Sequence, residues 1–555
     1  MSLSCVKESH IVDNICQYIA GSVTTDDWAR LRDRTLTVSK FILTDVTKNS
    51  EALISPAAYF RLALSLEPGI PLFPHLSDLV IVDADASLSY LEFLLTPSLT
   101  SLEVSSIPNA NQWILFSFLT SLAQVAPLLQ TLTIGPGWFP SKSIMQTIPQ
   151  FKNLRQLELK GTVLKMTFAF LESLGTSLPA LESLILDVRS CEYIPSTAIM
   201  SEDLSKGIEE HTPHASFDTH RQKRRRVSAE SDVGDAFSQL MKLHIIGSPL
   251  FLGDLILQIA STRLRDVFIT VVTGMQAVDN AQTSEQMKKR QIQGEAKKMG
   301  KKRMKATNKQ KKAREANNIL FSALLQLLHG QWSTSLKKIS VVNASGHSAQ
   351  STLLNEAFRL LLSHPTIKNL TVKGWAPDSV EDSILGLTEL TSSNFKSLFL
   401  PFDEANSGIS WSTLRHIAIT CPKLQSLQCR IKPLSPIPEY STTEALFHGL
   451  RTLSVGNSSW DLQSNKHHLI ARHLDHLFPH LETITTFNHR AGAAEPWIAV
   501  DELIKMCQTA RMDQRYRTYA IQAAADAMIT WTTGTSGTSG SWSFWSFMVM
   551  IFQRM

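Results

Sequence analysis

Two cysteines frame the stretch CPKLQSLQC, residues 421–429, and thiols can bind a metal, close a disulfide or pack as small apolar side chains. The chain has six cysteines, with no Cys-x-x-Cys pair and no regular disulfide framework. Its N-terminal sequence, MSLSCVKESHIVDN, lacks the long apolar core of a signal peptide. We therefore expect reduced thiols, and a protein of the nucleus, the cytoplasm or both.

Five histidines cluster near the C-terminal end, at positions 467, 468, 473, 476 and 480. Zinc sites combine histidine with thiolate or carboxylate ligands at set spacings, and His473-x-x-His476 has no such partners in a zinc-like pattern. We expect a polar helix face here, with no metal and no other cofactor. The phosphate-binding loop, the Gly-x-Ser-x-Gly elbow and the His-Glu-x-x-His motif are also missing from the sequence, so nothing in it indicates an enzyme.

The elements that position these residues are set by a repeated phrase. Leu424-x-x-Leu427-x-Cys429 follows an L-x-x-L-x-Φ pattern, where Φ is apolar, and thirteen copies occur at steps that mostly lie near 27 residues. The copies are HLSDLVI (75–81), SLTSLEV (98–104), LLQTLTI (128–134), NLRQLEL (153–159), ALESLIL (180–186), QLMKLHI (239–245), RLRDVFI (263–269), SLKKISV (335–341), TIKNLTV (366–372), NFKSLFL (394–400), the opening stretch, GLRTLSV (449–455) and HLETITT (480–486).

This period is the signature of leucine-rich repeats. Alternate leucines of a strand point to one side, and apolar segments at helical spacing, such as FAFLESLGTSLP (168–179), lie between the phrases. One strand and one helix cannot bury their apolar faces alone, so neighbouring repeats must stack. We predict an α/β leucine-rich-repeat solenoid, a horseshoe with a parallel sheet inside and helices outside. Cys429 then stands where other copies carry Ile, Val or Leu, as a buried apolar residue.

Two long steps between copies indicate inserts, which we predict to be disordered at about 196–234 and 275–316. The second contains residues 288–314, with thirteen Lys or Arg against one Glu, so the remainder of the chain is slightly acidic. Nucleic-acid binding is therefore disfavoured except through this insert. The basic run Lys223–Arg226 in the first insert predicts nuclear import, and Ser228 beside it fits a basophilic kinase site. A solvated charged loop is the alternative for both basic runs.

The N-terminal residues 8–46 carry the remaining pattern. Ile11, Ile15 and Ile19 share one face of a predicted helix, and a second predicted helix carries apolar residues downstream. The apolar positions of this second helix are Trp28, Leu31, Val38 and Phe41. The stretch IVDNICQYI resembles the first helix of the F-box, although Ser9-His10 stands where the F-box has Leu-Pro. The alternative is an N-terminal helical cap that seals the first repeat.

Together with the repeats, residues 1–510 resemble a fungal F-box leucine-rich-repeat protein. The resemblance implies a small all-α F-box-like segment at 1–50, a solenoid at 60–510 and a C-terminal tail at 511–555. It also implies a non-catalytic substrate receptor of an SCF-type ubiquitin ligase, whose partners are a Skp-type adaptor, the cullin-RING ligase core and a protein target. The adaptor would bind Ile11, Ile15, Ile19, Leu31, Val38 and Phe41. The alternative is a leucine-rich-repeat scaffold without ligase association.

The target is expected on the concave face, where residues between the buried leucines point outward. Their mixed charge, with two aromatic rings among them, suits a protein target rather than a polyanion. These target-binding candidates are Glu158, Lys160, Asp187, Phe268, Lys373, Phe399, Gln428 and Arg430.

No membrane span is predicted. The uncharged segment WILFSFLTSLAQVAPLL (113–129) is shorter than a span and runs in register into the next repeat, which favours a buried repeat helix. The apolar stretch 542–552 is shorter still, and the sequence leaves open whether it is a weak tail anchor or an aberrant end.

Overall fold

The structure is a computed structural model, and it forms two compact units, Met1–Asp378 and Ser379–Met555. It describes residues 2–4, 25–44, 70–82, 91–107, 112–135, 142–160, 168–189, 236–272, 322–344, 355–374, 380–385, 394–401, 408–432, 437, 446, 448–456, 466–487 and 495–534.

The strands of the first unit follow one another in sequence order across a sheet. They are β1 (Ser2–Ser4), β2 (Lys40–Thr44), β3 (Asp78–Val82), β4 (Ser101–Ser105), β5 (Thr131–Ile134), β6 (Gln156–Leu159), β7 (Ser183–Asp187), β8 (Lys242–Gly247), β9 (Asp266–Val271), β10 (Lys338–Asn343) and β11 (Asn369–Lys373). The strands of the second unit are β12 (Ser397–Phe399), β13 (Ser426–Cys429), β14 (Thr452–Gly456) and β15 (Thr483–Phe487).

Helices lie between the strands. In the first unit they are α1 (Thr25–Thr35), α2 (Gln112–Val125), α3 (Lys142–Thr147), α4 (Phe168–Ser177), α5 (Pro249–Gln258) and α6 (Asn355–Leu362), with a further helical stretch at 322–331. In the second unit they are α7 (Val380–Leu385), α8 (Trp411–Thr420), α9 (His467–Leu477) and α10 (Glu495–Gly534).

Each of the thirteen predicted phrases overlaps one of the strands β3 to β15. Within each unit, neighbouring strands of this set are parallel and keep the leucines level, so that Leu157 of β6 lies beside Leu132 of β5 and Leu184 of β7. All three side chains are fully buried. The prediction of an α/β leucine-rich-repeat solenoid with a parallel sheet is confirmed by this register.

The two cysteines of the opening stretch are free thiols in the core of the second unit. Cys429 fills the third apolar position of its repeat in β13, and complete burial raises the pKa of its thiol to about 12. Cys421 ends helix α8, where its backbone N–H donates to the carbonyl of Ile417. Both cysteines therefore pack as small apolar side chains, as the repeat pattern predicts.

The N-terminal segment differs from the predicted all-helical domain. Helix α1 ends at Thr35, and β2 then pairs in parallel with β3, placing Phe41 beside Leu79. Val38 and Phe41 are buried, and they follow the helix instead of lying on it as predicted: Phe41 belongs to β2 and Val38 precedes that strand. The physical reason is that Val38, Phe41 and Leu43 repeat the apolar spacing of the other strand phrases. Strand β1 pairs antiparallel with β2.

The C-terminal helix α10 also crosses a predicted boundary, because it continues past residue 511 to Gly534. Its first part packs on α9 and β15. The Gln508 amide donates to the carbonyl of Leu481 at 2.8 Å, and Arg511 forms an ion pair with Asp475.

Helix α2 occupies most of the uncharged segment at 113–129 and buries Leu115, Phe118, Leu119 and Leu122. It is a repeat helix, as predicted. Among the helices that the structure describes, none is both long enough and apolar enough to cross a membrane.

A buried histidine packs against a tryptophan in the second unit. His473 of α9 lies against Trp411 of α8, with ring centroids 5.3 Å apart in an edge-to-face arrangement. Burial disfavours the protonated ring, and the nearby positive groups of His476 and Arg415 add to this, so the pKa of His473 falls to about 4. The folded state therefore holds this ring neutral.

We expect this group to stabilise the fold fully above about pH 6.5, the ordinary pKa of an unfolded histidine, and to lose that contribution as the pH falls. At about pH 5 the loss is about 2 kcal/mol of the free energy of unfolding. His473→Phe should reduce the difference between urea unfolding at neutral pH and at about pH 5. His468→Phe, at an exposed position of the same helix, is the control and should keep the full difference. Equal pH dependence in all three proteins would contradict this assignment.

Candidate functional site

The open face of the sheet consists of the side chains that alternate with the buried leucines. In the first unit its middle row is level across consecutive strands, with Glu158 beside Ile185, then His244, then Phe268. Ser340 of β10 continues the row beside Phe268. One sheet thus brings together residues that lie far apart in sequence.

Two carboxylates on this face are covered by their own cations. Lys160 Nζ lies 2.7 Å from Glu158 Oε1, and Arg189 donates to both oxygens of Asp187, at 3.0 Å from Nε and 2.5 Å from Nη2. The hydrogen bond and the charge of Asp187 raise the pKa of Arg189. The side chains of Lys160 and Arg189 are 49% and 59% exposed, so an incoming partner meets the cations first.

An aromatic group adjoins these ion pairs. The rings of His244 and Phe268 have centroids 5.7 Å apart, and Lys338 Nζ lies 4.7 Å from the centroid of the Phe268 ring. Burial is the largest influence on His244 and lowers its pKa, while the carboxylates of Glu158 and Asp187 oppose that shift. Phe268 is half-buried, with an imidazole on one side and a cation on the other.

The structure corrects the expected exposure of three predicted target-binding residues. Glu158, Asp187 and Gln428 retain only 9%, 4% and 8% of their accessible surface. Because the strands are about 4.8 Å apart, side chains of the adjacent strands cover these residues from both sides. The two carboxylates are also covered by the cations with which they pair. Lys160 and Lys373 are exposed, as expected, and Lys373 lies beside Val342 of β10.

The second unit carries the other predicted residues on its own part of the open face. Phe399 of β12 lies beside Gln428 of β13, which lies beside Ser454 of β14. Phe399 and Arg430 are both half-buried.

The remaining predicted sites lie mostly outside the described residues. This is so for Ile11, Ile15, Ile19, Lys223, Arg224, Arg225, Arg226 and Ser228, and for both predicted inserts. Leu31 lies within α1.

Two features had not been predicted from sequence. His244 belongs to the open face, and its position within QLMKLHI could have identified it by register. In the second unit, Glu381 accepts from the backbone N–H of Ser410 at 2.5 Å and pairs with Lys432 at 2.6 Å. Burial acts to raise the pKa of Glu381, but the hydrogen bonds from Lys432 and Ser410 lower it overall. The Glu381 carboxylate thus joins two repeats, and no local sequence motif predicts this contact.

Within the described ranges, no group of three or more His, Cys, Asp and Glu side chains is placed to hold a metal ion. The arrangement on the open face offers ion pairs, an aromatic ring and hydrogen-bonding groups.

No protein-family model and no curated protein matches the sequence. Among solved structures, the chain is similar to the leucine-rich-repeat ectodomain of the plant membrane receptor kinase GASSHO1/SCHENGEN3 from Arabidopsis thaliana, in complex with CASPARIAN STRIP INTEGRITY FACTOR 2. The alignment has 13% identity and a TM-score of 0.27, and covers 74% of this chain and 35% of the ectodomain. A likeness at this level says nothing about what this chain binds. The leucine-rich-repeat fold rests on the chain's own register.

The charges around His244 predict opposite responses to two substitutions. Glu158→Gln removes a carboxylate that favours the imidazolium, so the pKa of His244 should fall further. Lys160→Met removes a cation that disfavours it, so the pKa should rise. Proton NMR titration of the imidazole resonance, assigned by its loss in His244→Gln, measures both. Shifts in the same direction would show that the group does not respond to these charges.

Proposed function

We propose that this chain is a non-catalytic protein-binding subunit that holds a protein target on the open face of the first unit. The observation that carries this proposal is the half-buried Phe268 ring, set between His244 and Lys338 on a face that also carries the ion pairs Lys160–Glu158 and Arg189–Asp187. Aromatic side chains with a polar surround are typical anchors of protein interfaces.

The size of the face supports the same function. The parallel strands β2 to β11 are about 4.8 Å apart and extend roughly 40 Å across the sheet. A standard protein interface buries about 800 Å² on each partner, which a face of this extent can supply. Exposed cations on flexible side chains, such as Lys160 and Arg189, suit the polar rim of such an interface.

We further propose that the subunit belongs to an SCF-type ubiquitin ligase. The support is the resemblance of IVDNICQYI to the first F-box helix, and catalysis would belong to other subunits of the cullin-RING core. Because Val38 and Phe41 are buried in the solenoid, the proposed contact with a Skp-type adaptor rests on Ile11, Ile15, Ile19 and Leu31. Action in the nucleus, with import through Lys223–Arg226 under control of Ser228, is part of this proposal.

The second candidate is a protein-interaction scaffold without ligase association. One observation favours it: α1 and β2 form a helix and a strand of the solenoid itself. A segment that serves as the first repeat acts as a cap, which a repeat array requires at its ends.

Photo-crosslinking tests the open face. A photoreactive residue in place of Ser340, in the row beside Phe268, should crosslink the target when the full chain is expressed in cells. The matched control places the same residue at Trp113, which is 70% exposed on α2. Phe268→Ala should abolish the crosslinks from position 340, because the anchor is lost, whereas Phe268→Tyr should retain them. The same crosslinked species from both positions would argue against a binding face here.

Co-purification tests the ligase association. Ile15→Glu places a charge on the apolar stripe at a cost of several kcal/mol if the contact is buried, so a Skp-type adaptor should no longer co-purify. Gln17→Glu adds the same charge off the stripe and should leave adaptor binding intact. Target crosslinks from position 340 should survive in both variants. If the unaltered protein never binds an adaptor, the scaffold function is the correct one.

A further inference from the structure

The residue directly before each strand, here called the entry position, lies beside its counterparts in the neighbouring repeats. Lys337 donates its backbone N–H to the carbonyl of Arg265 at 2.8 Å, and Lys368 donates to that of Lys337 at 2.7 Å. Side chains at this position therefore stand one strand apart, at about 4.8 Å.

At two other places in the chain, opposite charges pair at the entry position. In the first unit Arg155 contacts Glu182 at 3.4 Å, and in the second unit Arg451 contacts Glu482 at the same distance. In both cases the acidic residue donates its backbone N–H to the carbonyl of the arginine, so the geometry matches that of Lys337 and Arg265. This pattern removes repulsion between adjacent repeats.

Arg265, Lys337 and Lys368 break that pattern. They put three cations at consecutive entry positions before β9, β10 and β11, and all three are exposed. None of them makes an ion pair with a carboxylate in the part of the chain that the structure describes. We call these three residues the basic ladder. Like charges at such spacing destabilise a sheet, and an anionic partner would relieve that repulsion.

The surroundings of the basic ladder distinguish between anionic partners. Lys242 and Lys338 add two cations at the first positions of β8 and β10, but Asp266 stands between them in register. A continuous phosphate backbone would have to pass this carboxylate. Phe268 lies two residues further along β9, on the same side of the strand as Asp266, and offers an apolar contact beside the cation of Lys338, whose Nζ lies 4.7 Å from the ring centroid.

We propose that the basic ladder binds a cluster of carboxylates in an acidic segment of the protein target, and that an apolar side chain of the same segment packs on Phe268. This inference rests on the proposed function of the open face and names the chemistry of the segment held there. The carboxylates pair with cations whose repulsion they remove, so binding should weaken as salt concentration rises.

Lys337→Glu tests the proposal in the full-length protein. The probe is a fluorescent peptide in which a phenylalanine is followed by a run of glutamates, and binding is measured by fluorescence anisotropy. We expect the peptide to bind the unaltered protein and the variant to bind it on the order of tenfold more weakly. The new carboxylate would stand between Arg265 and Lys368, as Glu182 stands beside Arg155, so the melting temperature should not fall.

Arg155→Glu is the matched control, because it makes the same charge change at the entry position of β6. It should leave peptide binding unchanged. Equal weakening of peptide binding in both variants would show that only the net charge of the protein matters, and would overturn the proposal. Unchanged peptide binding in Lys337→Glu would overturn it as well. If Lys337→Glu fails to fold, Lys337→Gln removes the charge without reversing it and should weaken binding in the same direction.

Two further outcomes separate the alternatives. A single-stranded oligouridylate that binds more tightly than the peptide, and loses binding in Lys337→Glu, would assign the surface to nucleic acid and overturn the proposal. If the peptide does not bind while Phe268-dependent crosslinks from position 340 persist, the acidic-segment proposal fails and the protein-binding function stands. Loss of both would remove the proposed function as well.

Discussion

No repeat of this chain can bury its leucines alone, and the rest of the structure follows from that constraint. Leu157 is covered because Leu132 and Leu184 lie beside it, and each strand finds its backbone partners in the same neighbours. Stacking also tolerates long interruptions. Strands β7 and β8 pair in full register although residues 188–241 separate them in sequence, since the pairing depends on the repeats themselves and not on the length of their connection.

The same register that builds the core determines which outward residues meet. Strand pairing determines which side chains are neighbours on the open face and at the entry positions. Charges from distant parts of the sequence are therefore placed next to one another. This is how Glu158, Asp187 and His244 influence each other, and how Arg265 comes to adjoin Lys337. At these positions some opposite charges pair within the sheet, as Arg155 and Glu182 do, and some like charges stand side by side, as in the basic ladder.

The strands were predictable because their apolar spacing is local and repeated. Strand β2 escaped prediction although Val38, Phe41 and Leu43 have the same spacing, because Val and Phe replace the leucines and a helical pattern precedes them. The burial of Asp187 could not be predicted, since it depends on the side chains of adjacent strands and on its pairing with Arg189. The sequence identifies which residues lie on each face of a strand, but not how far the side chains of the adjacent strands bury them.

Helix α10 affects where repeats can be added to the array during evolution. Asp501 accepts a hydrogen bond from the backbone N–H of Ile484 in β15, at 2.9 Å, so a side chain takes a donor of the last strand. A further repeat appended after β15 would have to displace that carboxylate and the helix that carries it. Duplication of an internal repeat meets no such obstacle, because a copied unit presents the same leucines on both sides. Lengthening of this array during evolution is therefore favoured before β15, by copying from within, over addition after it.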